Sequence, residues 1–393
     1  GKFSLMRSTF NTSISMKAIK DGKKGVTSIN QATKEAIDEA AAQCISAAQS
    51  SVPDEAEQIA PFTAKAEYKT GVFEPELDKL FDRIEEFMSQ TAAEYPKVIL
   101  EQLISDYEHS EKLYMNTNGT SLKYEHGEYS FNTKFSAHEG EKASSFNGYF
   151  CALDSLDKPF MDAGMQRQLL AESEKQLDTV SPSEKFVGRV IYSPDCFNEL
   201  LQTALENFAS SGVLIDGTSP WKDALNTKVA SEKLNLRSVP LDGRTVVGQR
   251  FTSDGYPVED MDIIIDGVLK TFILSQYGAN KTGFPRSLNS GNNLEVLPGD
   301  KALEEMISGI DKGLIVNRFS GGQPSSNGDF SGVAKNSFLI ENGKVVSAVS
   351  ETMISGNIID MLNNIVAVSK EQTTDGLSFM PWAEFDGVTV SGK

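Results

Sequence analysis

The histidines are the side chains from which a catalytic zinc site would have to be built, and the sequence contains three of them. They are His109, His126 and His138, so successive histidines are 17 and 12 positions apart. A zinc peptidase helix needs two neutral imidazoles about one helical turn apart, with a glutamate beside them as general base. No pair in this sequence has that spacing. The sequence therefore predicts no histidine-based metallopeptidase centre in this chain.

Each histidine also has a simpler explanation. His138 is followed by a glutamate, as in a zinc-binding motif, but it stands at the end of a strand-like segment, where we expect a solvated turn. His109 and His126 each follow a glutamate in polar, strand-like segments, and we expect both of them on the surface.

The sequence gives little support for a catalytic cysteine or serine nucleophile. The cysteines Cys44, Cys151 and Cys196 are far apart and form no CxxC pair, so we expect free, reduced thiols. A catalytic serine would need a base within hydrogen-bonding reach, and the sequence has no GxSxG motif. Ser331 is the one serine whose surroundings weakly suggest a nucleophile.

A glycine-rich region near residues 318–331 is the candidate binding surface. Its glycines lack both the GxGxxG spacing of a dinucleotide site and the lysine of a phosphate-binding loop, and they are typical of a turn that requires positive φ. The alternative, functional hypothesis is a groove that holds a peptide or meets a partner subunit. We expect that groove to be lined by Arg318, Gln323, Asp329 and Ser331.

The charge balance narrows the range of partners. The formal net charge is −18 at pH 7, and a field of that sign repels phosphate backbones, so we expect no direct binding of nucleic acid. No apolar run approaches the roughly 18–20 residues that span a bilayer, and the N-terminus lacks the apolar region of a signal peptide. The expected location is the cytoplasm, without membrane association.

The first part of the chain alternates between strand and helix patterns. Residues 10–19 alternate in polarity and lead through Asp21-Gly22 into a second strand. Asn30 is the expected cap of a helix with apolar residues at helical spacing, and a second amphipathic helix follows Pro75. Later segments predict strands at 98–107, 111–116 and 128–138, with a turn at Asn118-Gly119, and a helix at about 159–178.

The second part is predicted to be mainly antiparallel β-structure. A polar stretch at 181–184 resembles a linker, a buried strand is predicted at 186–192, and a helix with a wide apolar face follows. Seven Asp-Gly or Asn-Gly pairs favour hairpins, and helices are expected near 301–311 and 357–364. The predicted class is α+β with two domains: residues 1–183, an antiparallel sheet with amphipathic helices, and residues 184–393, a barrel-like or sandwich domain.

Several segments resemble a known family. The segments are FTSDGYPVEDMDIIIDGVLK at 251–270, LSQYGANKTG at 274–283, GDFS at 328–331, FLIENGK at 338–344, SETMISGN at 350–357 and NIVAV at 364–368. Their order and spacing are similar to those of the TldD/PmbA family, and a weaker likeness extends to NTNG at 116–119. The chain is identified on these segments as resembling the PmbA, or TldE, branch of that family.

The resemblance implies cytoplasmic, two-domain α+β subunits that pair into dimers and take part in trimming unfolded peptides. In the TldD branch, zinc is held by HExxxH on a helix and by a cysteine near the C-terminus. The matching helix here is LLQTALENFA at 200–209, which offers Glu206 and no imidazole, and residues 365–393 contain no cysteine. We therefore expect no metal or cofactor in this chain and zinc only in a catalytic partner.

Three hypotheses about function remain open. In the first, this chain is a non-catalytic subunit that binds extended or unfolded peptides together with a HExxxH-bearing TldD-like subunit, as a heterodimer, or with itself, as a homodimer. In the second, it hydrolyses peptides on its own through oxygen ligands or an unrecognised nucleophile. In the third, which an older family name suggests, it is an acidic, non-proteolytic modulator of DNA gyrase.

Overall fold

The structure is a computed structural model that describes residues 4–182, 184–350 and 352–392. Helices make up 23% of it and strands 39%, and the helices flank large sheets, so the predicted α+β class is confirmed. The elements of the first part are β1 (Ile14–Lys20), β2 (Lys23–Ile29), α1 (Lys34–Ser50), β3 (Lys65–Gly71), α2 (Leu77–Glu94), β4 (Val98–Met115), β5 (Ser121–Glu139), β6 (Lys142–Ala143), β7 (Asn147–Leu153), a 3-10 turn (Phe160–Asp162), α3 (Gln166–Lys175) and β8 (Thr179–Val180).

The second part begins with a strand and a helix and continues with short strands. Its elements are β9 (Phe186–Tyr192), α4 (Pro194–Ala209), α5 (Ser211–Ile215), β10 (Leu236–Ser238), β11 (Met261–Ile265), β12 (Val268–Leu269), α6 (Gln276–Thr282), β13 (Leu294–Val296), α7 (Leu303–Ser308), β14 (Lys312–Val316), β15 (Arg318–Gly321), β16 (Asp329–Lys335), β17 (Ser337–Glu341), β18 (Lys344–Val349), β19 (Thr352–Asn357), α8 (Ile358–Asn363), β20 (Ile365–Thr374) and β21 (Phe379–Ser391).

The first hairpin and helix form where the sequence predicts them, with different ends. β1 begins at Ile14, and Phe10 lies outside it with 96% of its surface exposed. The predicted cap Asn30 is wrong: α1 begins at Lys34 and its cap is Thr33, whose Oγ1 accepts a hydrogen bond from the Ala36 amide at 3.3 Å. α1 approaches the hairpin closely at Gly25, where a Cβ would collide with the helix backbone. The short Gly25 therefore allows α1 to lie flat on the two strands.

The next sheet is built on one long hairpin. The predicted strands at 98–107 and 111–116 are a single strand, β4, which pairs antiparallel with β5 through the turn that contains Gly119. On the other side of β5 lie β7, antiparallel, and β3, parallel. The predicted helix at 159–178 is shorter, because Gly164 adopts φ 47° after the 3-10 turn and separates that turn from α3. A Cβ at Gly164 would collide with the Tyr149 side chain.

Fourteen strands, from β8 onward, form the second sheet, and β21 lies at its centre. β21 pairs antiparallel with β9, β19 and β20 and parallel with β13. Within the described residues the order runs from β12 to β8 without closing on itself. Of the Asp-Gly pairs, Asp386-Gly387 is no hairpin turn: it lies inside β21, where Gly387 at φ 79° forms a bulge between Phe385 and Val388.

The helix after β9 buries the face that the sequence predicts. Ser193 caps α4, Pro194 occupies its first turn, and the apolar face is buried against β21, β19 and β16. The residues of that face are Phe197, Leu200, Leu201, Ala204, Leu205 and Phe208. The helices expected near 301–311 and 357–364 are α7 and α8, both shorter than predicted.

The other face of the second sheet packs against the first part of the chain. Ile315, Phe338 and Trp382 share a core with Phe131 and Phe135 of β5. The predicted domain boundary falls on residue 183, which lies outside the described residues, and the two-domain division stays a prediction.

The packing around β21 gives a first test. Phe385 is fully buried and contacts the rings of Tyr192 and Phe197. We expect Phe385→Ala to lower the free energy of unfolding by about 3–5 kcal/mol, because it leaves a cavity at the centre of the sheet. Phe10→Ala, the same substitution at an exposed site, should change it by less than about 0.5 kcal/mol. Urea denaturation of both variants measures the difference, and equal losses would contradict this account of the core.

Candidate functional site

A cleft of about 400 Å³ opens where α4 meets the sheet of the first part. Three segments that are distant in sequence supply its walls: α4, the strands β5 and β7, and the turn between β20 and β21. The lining residues are Asn132, Thr133, Gly148, Tyr149, Phe150, Asp195, Asn198, Glu199, Gln202 and Asp375.

One polar stripe of α4 forms the first wall. Asp195, Asn198, Glu199 and Gln202 follow one another at the spacing that places side chains on one face of a helix. The opposite face is the buried apolar face, so the helix cannot rotate without burying carboxylates. Gln202 Nε2 donates to Asn198 Oδ1 at 3.3 Å, which links the two amides along the stripe.

The turn between β20 and β21 fixes the second wall. One carboxylate oxygen of Asp375 accepts hydrogen bonds from the amides of Leu377 and Ser378, at 2.9 and 2.7 Å, and from the Ser378 hydroxyl at 3.1 Å. The Ala152 amide donates to the Asp375 carbonyl at 2.8 Å and ties the turn to β7. Asp375 is therefore fixed by its side chain within its own turn and by its carbonyl against β7.

Aromatic and hydroxyl side chains of β5 and β7 form the third wall. Tyr149 is buried, and its hydroxyl donates to the Thr374 carbonyl at 3.2 Å. Phe150 keeps 41% of its surface exposed beside the cleft. Thr133 Oγ1 donates to Gln166 Oε1 at 2.9 Å beneath the surface. The wall thus combines the fixed ring of Tyr149 with the exposed ring of Phe150, which a ligand can contact.

The cleft is electrostatically negative. Removal from water, with smaller effects of the nearby Asp375 and Glu199 carboxylates, raises the pKa of Asp195 to about 6. The Asp195 carboxylate is reachable from solvent yet surrounded by the walls of the cleft, which accounts for this shift. Burial also raises the pKa of Glu199, and the positive charge of Arg318 opposes that rise. Among the described residues, neither Asp195 nor Glu199 has an ion-pair partner within 4.0 Å.

Of the predicted binding residues, Arg318 lies nearest to this cleft. Its Nη1 donates to the Phe146 carbonyl at 2.6 Å, and its guanidinium stands 4.2 Å from the centre of the Phe146 ring. Burial lowers the pKa of Arg318, while Cys196 and Glu199 act in the opposite direction.

The other three predicted residues lie at the far end of the β15–β16 hairpin. Arg318 pairs with Lys335, the last residue of β16, whereas Asp329 is the first residue of that strand, six positions earlier and about 20 Å away at the rise of a strand. Gln323 is exposed in the connecting loop, and Ser331 is exposed on β16. Hydrogen bonds from Asn357 and Asn327 lower the pKa of Asp329. The structure thus separates Arg318 from the other three, and their role in binding stays a prediction.

The cleft residues on α4 were not singled out from the sequence, although a signal exists. The same periodicity that predicts the apolar face of α4 places two acids and two amides on its other side. An ordinary solvated helix face has the same pattern. Only the packing of β7 and the Asp375 turn over this stripe makes it part of a cleft.

The histidines lie far from α4 along the chain, on β4 and β5. His109 is exposed, with its Nε2 3.1 Å from Glu125, and His138 is exposed at the end of β5, as predicted. The prediction for His126 is wrong, since only 4% of its surface is exposed. β3 covers it: Thr70 pairs with His126, and the Thr70 hydroxyl lies 2.8 Å from His126 Nδ1.

The residues of α4 do not fit a zinc ion. The segment 200–209 carries amide, hydroxyl, carboxylate and apolar side chains and no imidazole. Across residues 4–182, 184–350 and 352–392, no three His, Cys, Asp or Glu side chains are grouped so that they could hold a metal ion. Cys151 and Cys196 are buried, and burial raises the pKa of the Cys151 thiol to about 12.

No helix within the described ranges is both long and apolar enough to cross a membrane.

The raised pKa of Asp195 gives a second test. The folded protein binds a proton at Asp195 more tightly than the unfolded chain does, so ionisation of Asp195 disfavours folding. We expect Asp195→Asn to raise the melting temperature at pH 8, where the destabilisation is fully present. The gain should shrink as the pH falls through about 6 and vanish below about 4, near the ordinary pKa of an aspartate. Scanning calorimetry at pH 4, 6 and 8 measures it, and a constant gain would contradict the assignment.

Comparison with known proteins identifies relatives of this chain. Residues 185–392 match the model of the PmbA/TldA metallopeptidase C-terminal domain. The chain is 32% identical over 155 residues to metalloprotease PmbA of Escherichia coli O157:H7, covering 39% of this chain and 34% of that protein. It is 28% identical over 220 residues to a zinc metalloprotease TldD homolog of Saccharolobus solfataricus, covering 52% and 49%. The matched segments thus span half or less of these relatives.

Solved structures share the fold over nearly the whole chain. TldE from Thermococcus kodakarensis superposes with a TM-score of 0.81 at 22% identity, covering 96% of this chain and 89% of that one. A candidate modulator of DNA gyrase from Bacteroides thetaiotaomicron gives 0.79 at 25% identity, covering 98% and 92%. Because the family model covers more than half of the sequence, this chain belongs to the TldD/PmbA family of metallopeptidase-related proteins.

Proposed function

We propose that this chain is a non-catalytic subunit of a TldD/PmbA-type metallopeptidase. It binds extended or unfolded peptides in the α4 cleft and leaves hydrolysis to a HExxxH-bearing partner in the cytoplasm. The observation that carries the proposal is the composition of α4, the helix expected to bear the metal ligands in a catalytic relative. Its cleft-facing stripe presents two carboxylates and two amides, which can contact a peptide but cannot replace a pair of imidazoles.

The walls of the cleft suit an extended peptide. β7 pairs with β5 along one edge, and Gly148, Tyr149 and Phe150 on this strand line the cavity. Backbone groups along a strand edge can hydrogen-bond to an added strand whatever its sequence. A Cβ at Gly148 would lie 2.4 Å from the Thr133 carbonyl oxygen, so the glycine allows β7 to lie close to β5 and form this wall.

The charges of the cleft favour a particular peptide composition. Within the described residues no cation forms an ion pair with Asp195, and Arg318 acts on Glu199 only through its charge. The exposed ring of Phe150 lines the same cleft. A lysine or arginine side chain could satisfy both the carboxylates and the ring. Peptides that carry basic residues should therefore bind more tightly than acidic ones.

Mixing experiments test the proposed role. Cleavage of an unstructured peptide is measured with this chain alone, with a HExxxH-bearing relative from the same organism alone, and with both. We expect the mixture to be the active sample and a chelator to abolish its activity. Activity from this chain alone would show that it is an enzyme in its own right. A silent mixture would favour a non-proteolytic role.

Peptide binding gives a separate test. We expect this chain to bind a fluorescent, lysine-rich, unstructured peptide, as measured by fluorescence anisotropy. The affinity should fall at higher salt, because salt screens the charges of the cleft and the peptide. Glu199→Gln and Phe150→Ala should each weaken binding about three- to thirtyfold. Phe62→Ala, at another exposed phenylalanine outside the cleft, is the matched control and should bind normally. Equal losses in all three variants would show that the cleft is not the binding site.

A further inference from the structure

The cleft beside α4 carries opposite charges at its two ends. Asp195 and Asp375 lie at one end, close enough for one carboxylate to act on the other. At the other end lies Phe146, which keeps 50% of its surface exposed. Two cations stand over the Phe146 ring: the Lys134 ammonium group is 4.7 Å and the Arg318 guanidinium carbon 4.2 Å from its centre. We call Lys134, Phe146 and Arg318 the cationic end of the cleft.

Strand register places the cationic end next to the cleft wall. Lys134 pairs with Gly148, which lines the cleft, and Lys335 pairs with Arg318 and adds a third cation beside the guanidinium. Arg318 is close enough to Glu199 of α4 for their charges to interact. Among the described residues, however, no carboxylate oxygen lies within 4.0 Å of the Arg318 nitrogens. Three neighbouring cations attract an anionic group even though the chain carries a net charge of −18.

Hydrogen bonds limit the part of β7 that an added peptide can use. Near one end of this strand, the Ala152 amide donates to the Asp375 carbonyl at 2.8 Å. Just before the other end, the Phe146 carbonyl accepts a hydrogen bond from Arg318 Nη1 at 2.6 Å. A peptide strand can therefore pair with residues 148–150, between these two contacts, and must end or turn away beyond them. The end of a peptide fits such a short edge better than the middle of a long strand does.

The charges of the two ends favour one orientation of the peptide. A terminal carboxylate is attracted to the cationic end, where the remaining N–H groups of Arg318 can donate to both of its oxygens. Asp195 and Asp375 at the other end repel a carboxylate and attract a basic side chain. The peptide then runs antiparallel to β7. Four residues of a strand span about 13 Å, so a lysine four residues before the carboxyl end would reach the exposed ring of Phe150.

We propose that the cleft binds the carboxyl-terminal end of a peptide, with its free α-carboxylate held by Arg318 and Lys134 and its chain antiparallel to β7. The preferred ligands are peptides with a lysine or arginine about four residues before a free C-terminus. This binding mode rests on the proposed function, because it specifies which peptides the α4 cleft takes and in which direction. Internal segments of a long polypeptide have no terminal carboxylate and should bind more weakly.

Fluorescence anisotropy with two matched peptides tests the role of the terminal carboxylate. Both are unstructured, labelled at the N-terminus and carry a lysine four residues from the end, but one ends in a free acid and the other in an amide. We expect the wild-type chain to bind the free acid about tenfold more tightly. The net charge of −18 alone would favour the amide, which lacks the negative charge, so a preference for the acid requires a local cationic site.

Arginine variants locate that site. Arg318→Gln should abolish the preference for the free acid and leave the affinity for the amide nearly unchanged, and Lys134→Gln should reduce the preference about threefold. Arg286→Gln is the matched control: Arg286 also stacks on an aromatic ring, 3.8 Å from the centre of Tyr256, but does not line the cleft, so the preference should persist. Melting curves of each variant confirm that it remains folded.

Other results would overturn the proposed binding mode in distinguishable ways. Equal affinities of the wild-type chain for acid and amide would exclude it and leave the proposed function standing, whereas binding of neither peptide would exclude both. A third peptide, an amide whose last residue is glutamate, separates a terminal from a side-chain carboxylate, and affinity equal to that of the free acid would rule out recognition of the C-terminus. Moving the lysine to the amino end should weaken binding, and an unchanged affinity would contradict the antiparallel orientation.

Discussion

The structure depends on one strand, β21, that is paired with other strands along both of its edges and contributes side chains to two cores. β21 hydrogen-bonds to β9, β19, β20 and β13 along different parts of its length. Its two faces enter different cores: Phe385 and Val390 pack under α4, and Trp382 packs against the first part of the chain. A straight strand could not serve all these neighbours, and the bulge at Asp386-Gly387 provides the extra residue that shifts its register. The position of α4, and through it the cleft, follows from this arrangement.

Elements with a strong local pattern could be predicted from the sequence. α4 combines a serine cap, a proline in its first turn and a continuous apolar face, and β9 is a short apolar run. Predictions failed where long-range contacts override local preference. β4 continues through residues 108–110 because β5 pairs with it along its whole length, and Asp386-Gly387 became a bulge because strands pair with β21 on both sides of it. His126 is buried because β3 inserts beside β5 in parallel, and nothing near His126 in the sequence indicates that neighbour.

The candidate site shows the same limit. The lack of an imidazole pair is a property of the sequence and needs no fold. The cleft, in contrast, is a property of three segments brought together, and each of them looks ordinary alone. The Asp195 stripe could be any solvated helix face, β7 any short strand, and Asp375-Gly376 any turn. Only when the Ala152 amide bonds to the Asp375 carbonyl do they become walls of one cavity.

The central place of β21 also has a kinetic consequence. β9 pairs with residues that lie almost two hundred positions further along the chain. During synthesis, β9 and the apolar face of α4 must therefore remain without their principal partner until that distant strand has been made. Contacts of such sequence separation form slowly, and the waiting intermediate exposes strand edges and apolar surface. This chain should thus be sensitive to the supply of chaperones while it is being made, even if the finished molecule is stable.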